Sequence, residues 1–338
     1  MPEYFKVFRS LDPLVNHRKG EVKLGERFQL LKDGQFSSLQ KHRRSGVRFA
    51  LLGIPESIGI QANHGVSGAE NSWEQCLRQL LNHQSNRYLD GASVLCLGQV
   101  ETKDLQQRAL ELNQSDRQYF TKLRSLCQEL DQRVAPVIAQ ISAAGLIPIV
   151  VGGGHNNSYP ILKGLTKGLS SFQGINCINL DAHADFRPLE GRHSGNGFSY
   201  AFYQGYLQRY FVIGLNAHAN SESMLKNMDL EEGVDYEIYQ PGVGPQIPKA
   251  LTFVSQVKGP TGIEIDLDVI SFMPASAFNT SGFSLDQVRL FIRSISKELK
   301  PAYLHLAEGQ VTENHRDDLI IGKTLSTLVL DFIKHYPL

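Results

Sequence analysis

At 338 residues the chain is longer than a common single domain but within reach of one large α/β domain, and its 34 basic and 34 acidic residues cancel. That balance removes the main electrostatic case for nucleic acid or an anionic membrane as partner. Four cysteines without Cys-x-x-Cys spacing, no charged-then-apolar leader and no membrane-length apolar run argue against a zinc knuckle, a disulfide framework and an anchor, so a cytoplasmic protein is expected.

Residues 1–45 are polar and charged, with a basic cluster at Lys41-His-Arg-Arg44. They read as an N-terminal extension packed on a single domain that spans 46–338. Within that domain strand-like runs occur at Val47–Gly53, Ala92–Gly98, Leu146–Gly152, Gly174–Leu180, Arg209–Gly214, Thr261–Val269 and Ala302–Ala307. Cys96 and Cys177 fall inside such runs and read as small buried hydrophobes. Between the runs, Leu123, Leu126, Leu130, Val134, Val137 and Ile141 recur at steps of three and four, so a helix is expected over Ser115–Ala144. Pro136 should kink it and Gly145 should stop it. A last helix is expected over Lys323–His335. This alternation predicts a three-layer α/β/α fold around a central, mostly parallel sheet. In such folds ligands collect beyond the carboxyl ends of the strands.

Three strand ends carry metal-binding chemistry. Ile147–Gly154 is a strand running into glycines, and His155 follows at once. Asp181-Ala-His183-Ala-Asp185 follows the apolar run Ile175–Leu180, and in an extended chain its three polar side chains would share one face. Asp266 and Asp268 repeat the period of two on another apolar strand. Uncompensated, these carboxylates would be costly to bury. Taken singly, each motif has a bland reading as a turn, a loop or a helix cap. Together they supply four carboxylates and two imidazoles, more than one divalent ion needs and enough for two sharing a bridging carboxylate.

These motifs resemble the signatures of the ureohydrolases, the family of arginase, agmatinase and formimidoylglutamase. The family pattern is a Gly-Gly-x-His, an Asp-Ala-His-x-Asp and a later Asp-x-Asp, standing here as Gly152-Gly-Gly-His155, Asp181–Asp185 and Asp266-Leu-Asp268. The resemblance runs from about Phe49 to the C-terminus and implies an arginase-like fold. It takes in Leu51-Leu-Gly-Ile-Pro, the loop Asn63-His-Gly-Val-Ser-Gly-Ala69, the strand Val212–Leu215 and the segment Leu304-His-Leu-Ala-Glu308. It implies two manganese ions held by His155, Asp181, His183, Asp185, Asp266 and Asp268. It also implies that Asp185 passes a proton to the leaving amine and that Glu308 faces the substrate's cationic nitrogens. Gly309-Gln310 stands where the family commonly has Asn-Pro, so the competing reading of Glu308 is a surface loop acid.

Substrate choice turns on the segment after Asp185. Arginase-like members place a histidine two residues after the Asn of a Ser-Gly-Asn segment, and here Phe198 stands there. The string is closer to formimidoylglutamases, which also carry an arginine two residues after the last aspartate, as Arg187 does here. Arg187, with Ser194, Gly195 and Asn196, would then hold a substrate carboxylate. The competing reading of Arg187 is an ion pair with an acid such as Glu190. Val66, Ser72-Trp73 and Asn156-Asn157 are further departures from many relatives. The implied reaction is N-formimidoyl-L-glutamate plus water to L-glutamate and formamide, a step of histidine degradation. The alternatives are hydrolysis of another guanidino compound, such as arginine or agmatine, and a metal-binding protein without activity. The expected partner is a small amidino or guanidino molecule. No pattern fixes an oligomeric state, and a homo-oligomer is compatible with the sequence.

Overall fold

The computed structural model describes residues 2–312 and 314–337. Among them nine strands form one sheet: β1 (Phe5–Val7), β2 (Phe49–Gly53), β3 (Val94–Val100), β4 (Ile147–Val151), β5 (Ile175–Leu180), β6 (Leu207–Leu215), β7 (Val234–Ile238), β8 (Thr261–Asp266) and β9 (Leu304–Ala307). Their order is β1-β3-β2-β4-β9-β8-β5-β6-β7, and only β1 is antiparallel to its neighbour. β4, β5 and β8 are buried almost throughout, as strands covered on both faces must be. One face packs against helices Tyr119–Ala143 and Ser158–Gly168, the other against Ser72–Leu80, Leu285–Leu299 and His315–His335. This is the expected three-layer α/β/α arrangement.

The order of the strands positions the site. β4, β9, β8 and β5 are consecutive across the middle of the sheet. All four run parallel, so their carboxyl ends lie side by side, roughly 4.8 Å apart. The segments that follow them carry His155, Glu308, Asp266 with Asp268, and Asp181 through Asp185. Residues separated by more than a hundred positions in the chain therefore meet within four strand widths.

Several boundaries differ from the sequence reading. β1 and β7 were not anticipated: β1 has three residues, and β7 is a half-exposed edge strand. The long helix starts at Tyr119, four residues late, and runs unbroken through Pro136. The last helix starts at His315, eight residues early. The Asn314 side chain caps it, and Asp317 and Asp318 lie in its first turn, where the helix dipole favours negative charge. The strand expected to reach Val269 ends at Asp266, and a tight turn carries Asp268. The N-terminal residues do more than cover the surface. Phe5, Leu31, Phe36 and Leu39 join one hydrophobic core, and Leu11, Leu24 and Phe28 join the other. All four cysteines are free and buried, and no described helix is long and apolar enough to cross a membrane.

Candidate active site

The six sequence-assigned ligands converge in two groups of candidate metal ligands. His155, Asp181, Asp185 and Asp266 form one; Asp181, His183 and Asp268 form the other. Nδ1 of His155 lies 3.1 Å from Asp181 Oδ2, 3.1 Å from Asp185 Oδ2 and 3.3 Å from Asp266 Oδ2. Nδ1 of His183 lies 2.8 Å from Asp268 Oδ2 and 3.8 Å from Asp181 Oδ1. Asp181 thus turns one oxygen to each group. Adjacent ligands on a six-coordinate ion with bonds of about 2.1 Å stand roughly 3.0 Å apart, close to these spacings. Nδ1 of His155 has no hydrogen-bond partner although it faces three carboxylates.

Electrostatics leads to the same fit. Four carboxylates crowd into a site that is largely out of water. Burial, then Asp181, pushes Asp185 up to about 6. Burial, with Asp268 and Asp181 next, holds Asp266 well above the usual range. Asp268 is the main reason His183 rises to about 11. Four carboxylates packed this closely and this far from water call for cationic partners, and two divalent ions carry four positive charges. Oxygen and imidazole donors suit manganese and other first-row or hard divalent ions.

The ligands meet for reasons other than a shared strand face. The strands end at Leu180 and Asp266, before most ligands appear. Asp181 Oδ1 accepts the amide of His183 at 2.7 Å, and Asp266 Oδ1 accepts the amide of Asp268 at 2.9 Å. These carboxylates fold the chain back on itself. Asp185 sits at φ +46°, and Glu308 and the pocket-lining His64 at +65° and +66°. Left-handed backbone is costly for such residues, and its concentration around one pocket is typical of a functional site. From outside, Asn220 accepts the amide of Ala184 and donates to the carbonyl of Ala182, pinning the same turn.

The glycine loop ahead of His155 is held by Glu56, a buried carboxylate that sequence reasoning missed. It accepts the amide of Gly154 at 2.8 Å and side-chain amides of Asn156 and Asn157 at 3.2 and 2.6 Å. The Asn156-Asn157 departure therefore has a structural task. Gly153 has φ +77°, and a Cβ there would meet Glu56 Oε1 and the Ile54 carbonyl at 2.8 Å each. Behind this loop Arg192 bonds Asp131 at 2.9 Å, Asn196 Oδ1 at 2.8 Å and the Asn156 carbonyl at 2.7 Å. Arg192→Met is expected to cost roughly 3–5 kcal/mol in urea unfolding, because it strands a buried Asp131. A change under about 1 kcal/mol would show that the pair is not coupled to the fold.

A cavity of about 380 Å³ opens onto the cluster, lined by His183, Asp185, Asp266, Asp268, Glu308, Arg187 and Ser194, with Asn63, His64 and Ser276. Glu308 is not a surface loop acid. It is 3% exposed, accepts the amide of His155 at 2.7 Å and takes a hydrogen bond from Ser276. Burial is the main reason its carboxyl is raised to about 8. Gln310, the departure beside it, donates to the Ser67 carbonyl at 2.9 Å and so ties down the loop bearing Asn63 and His64.

Arg187 is exposed at the cavity, and no described acid pairs with its guanidinium. Glu190, the partner considered for it, instead meets Arg124 at 3.3 Å and His193 at 3.1 Å. Ser194 lines the cavity and accepts from Asn63 at 3.2 Å, while Gly195 contributes only backbone, its carbonyl accepting the amide of Arg187 at 3.0 Å. Asn196 does not fit the expected role in substrate contact. It is fully buried, its oxygen accepts from Arg192 and the His193 amide, and its nitrogen donates to the carbonyls of Pro188 and Gly191. Phe198 lies behind the cluster, edge-on to the His155 ring at 5.0 Å and stacked on Tyr210 at 4.3 Å.

Comparison with known proteins agrees with this geometry. Residues 47–316 match the Arginase family. A formimidoylglutamase from Streptococcus pyogenes serotype M3 is 28% identical over 239 residues, which is 67% of this chain and 65% of that protein. The chain therefore spans just under two thirds of that relative's length. A serotype M12 formimidoylglutamase is 27% identical over 271 residues, 75% of each chain. Among solved structures, Bacillus subtilis formimidoylglutamase has a TM-score of 0.73 at 17% identity, covering 95% of this chain and 93% of its own. Trypanosoma cruzi formiminoglutamase with Mn2+ has a TM-score of 0.70 at 18% identity, covering 94% and 100%.

Proposed function

The chain belongs to the arginase family, and we propose that it is a binuclear manganese hydrolase of a linear amidine that bears carboxylates, best met by N-formimidoyl-L-glutamate. The observation that carries the substrate is Arg187, an unpaired guanidinium that shares one cavity with the acidic cluster. Agmatine, with no carboxylate, would bring its cationic chain toward that like charge. The formimidoylglutamase relatives and the manganese in the Trypanosoma cruzi structure support the same reading.

Asp181, Asp185 and Asp266 with His155, and Asp181 and Asp268 with His183, would hold the two ions. Such a pair, when bound, would supply hydroxide near neutral pH and offset the negative charge that the attacking oxygen carries. Asp185 lines the cavity and can take the attacking water's proton and return it to the leaving amine. Glu308 would face the amidinium, whose positive charge favours the ionised carboxylate that burial opposes. A carbon–oxygen bond forms, the carbon–nitrogen bond to the glutamate amine breaks, and the products are glutamate and formamide. The reading places the protein in the cytoplasm, in histidine degradation.

The test is incubation of the manganese-loaded protein with formimidoylglutamate, arginine and agmatine, with formamide and urea measured separately. Formamide from the first substrate is expected, and metal analysis should give close to two manganese ions per chain. Urea from arginine or agmatine as the faster product would overturn the substrate. A folded protein binding almost no manganese would overturn the metal centre.

A further inference from the structure

Behind the cluster lies a second buried polar group that none of these roles uses. Glu264 on β8 and His305 on β9 are register partners, so their side chains stand next to each other. His305 Nδ1 lies 2.5 Å from Glu264 Oε2, and the Tyr303 hydroxyl donates to Glu264 Oε1 at 2.8 Å. All three residues have no exposed surface. Space for Tyr303 comes from Gly262, where a Cβ would lie 1.7 Å from the tyrosine Cε1. Apolar residues would fill such a place at less cost than a carboxylate with two polar partners.

The carboxylate faces one more group. His155 turns Nδ1 towards the three aspartates and Nε2 the other way. Among the described residues Nε2 has no hydrogen-bond partner, and Glu264 Oε2, at 3.4 Å, is the carboxylate it faces. A histidine that gives its Nδ1 lone pair to an ion must carry its proton on Nε2. An acceptor behind the ring fixes that tautomer, aims the ring and raises the basicity of the ligating nitrogen.

We propose that Glu264, held by Tyr303 and His305, is a positioning residue for His155, and that it sets the affinity of the ion shared by His155, Asp181, Asp185 and Asp266. This rests on the metal reading above. It also predicts asymmetry, because the group around His183 has no contact with Glu264 among these distances.

Manganese binding to the full-length protein under competition with a chelator, followed by calorimetry and electron paramagnetic resonance, tests it on wild type, Glu264→Gln and Tyr303→Phe. Wild type should bind two ions. Glu264→Gln should weaken one of them by about 10–100-fold, with the spectrum of a coupled pair giving way to that of isolated ions. Tyr303→Phe, which removes one support of Glu264 without touching His155, should act in the same direction by less. If Glu264→Gln fails to fold, Tyr303→Phe decides alone. Unchanged affinities, or an equal loss at both sites, would overturn the inference while leaving the metal centre standing. A wild type that binds no manganese would overturn both.

Discussion

Asp266→Asn is expected to lower turnover by on the order of 10³-fold or more, to reduce bound manganese below two ions per chain, and to leave the protein folded. Asp266 Oδ2 faces His155 Nδ1 at 3.3 Å, so the change removes a charged donor from the centre of the cluster. An asparagine oxygen can keep the 2.9 Å bond from the Asp268 amide, so the turn at the end of β8 survives. The sign of the stability change is informative. Burial and the neighbouring Asp268 and Asp181 disfavour the ionised form of Asp266. In the presence of a strong chelator the variant should therefore melt at the same temperature as wild type or higher. With manganese added, wild type should gain the larger stabilisation, since ions that bind only the folded form add stability by mass action. Wild-type rates in the variant, with metal content verified, would contradict the mechanism.

The convergence of the candidate metal ligands was legible because they lie in three short runs and each run follows an apolar strand. The parallel-sheet rule then brings the runs together without knowledge of the strand order. The local geometry was less legible. Extended spacing suggested that Asp181, His183 and Asp185 share a strand face, yet the strand stops at Leu180 and Asp185 turns back through left-handed backbone. Nothing in the residue types announces φ +65° at Glu308, where the amide donates to the Gly153 carbonyl and the carbonyl accepts the Ser276 amide. Glu264 left a signal that could have been used. It precedes Asp266 and Asp268 at the same period of two in an apolar strand, so three acids stood where two were read. Its partner His305 is 41 residues away and becomes a neighbour only through strand register. Asn196 misled because its motif position suggests substrate, whereas its side chain is consumed by the turn around Arg192 and His193. The short edge strands β1 and β7 carry too few residues for a periodic pattern.

Arg187→Ala is expected to lower kcat/KM for formimidoylglutamate by about 30-fold, through a higher KM, a lower kcat or both. The guanidinium offers a planar fork to a carboxylate, and losing one partner of such a pair costs about 2 kcal/mol at the lower end of the measured range. The lower end applies because Arg187 is exposed before substrate arrives, so part of its charge is already solvated. The fold should not suffer, since no described side chain depends on the guanidinium and the backbone bond from the Arg187 amide to Gly195 persists. Substrate choice separates this from a general defect. Amidines without a carboxylate should be poor substrates for wild type and nearly indifferent to the change, while formimidoylglutamate should lose most of its advantage. Restoring charge with Arg187→Lys should recover only part of the loss, because an ammonium cannot match the carboxylate at two points. If formimidoylglutamate turnover is intact in Arg187→Ala, or all substrates fall equally, the residue does not read the carboxylate and the substrate assignment fails, while the metal centre stands on its own ligands.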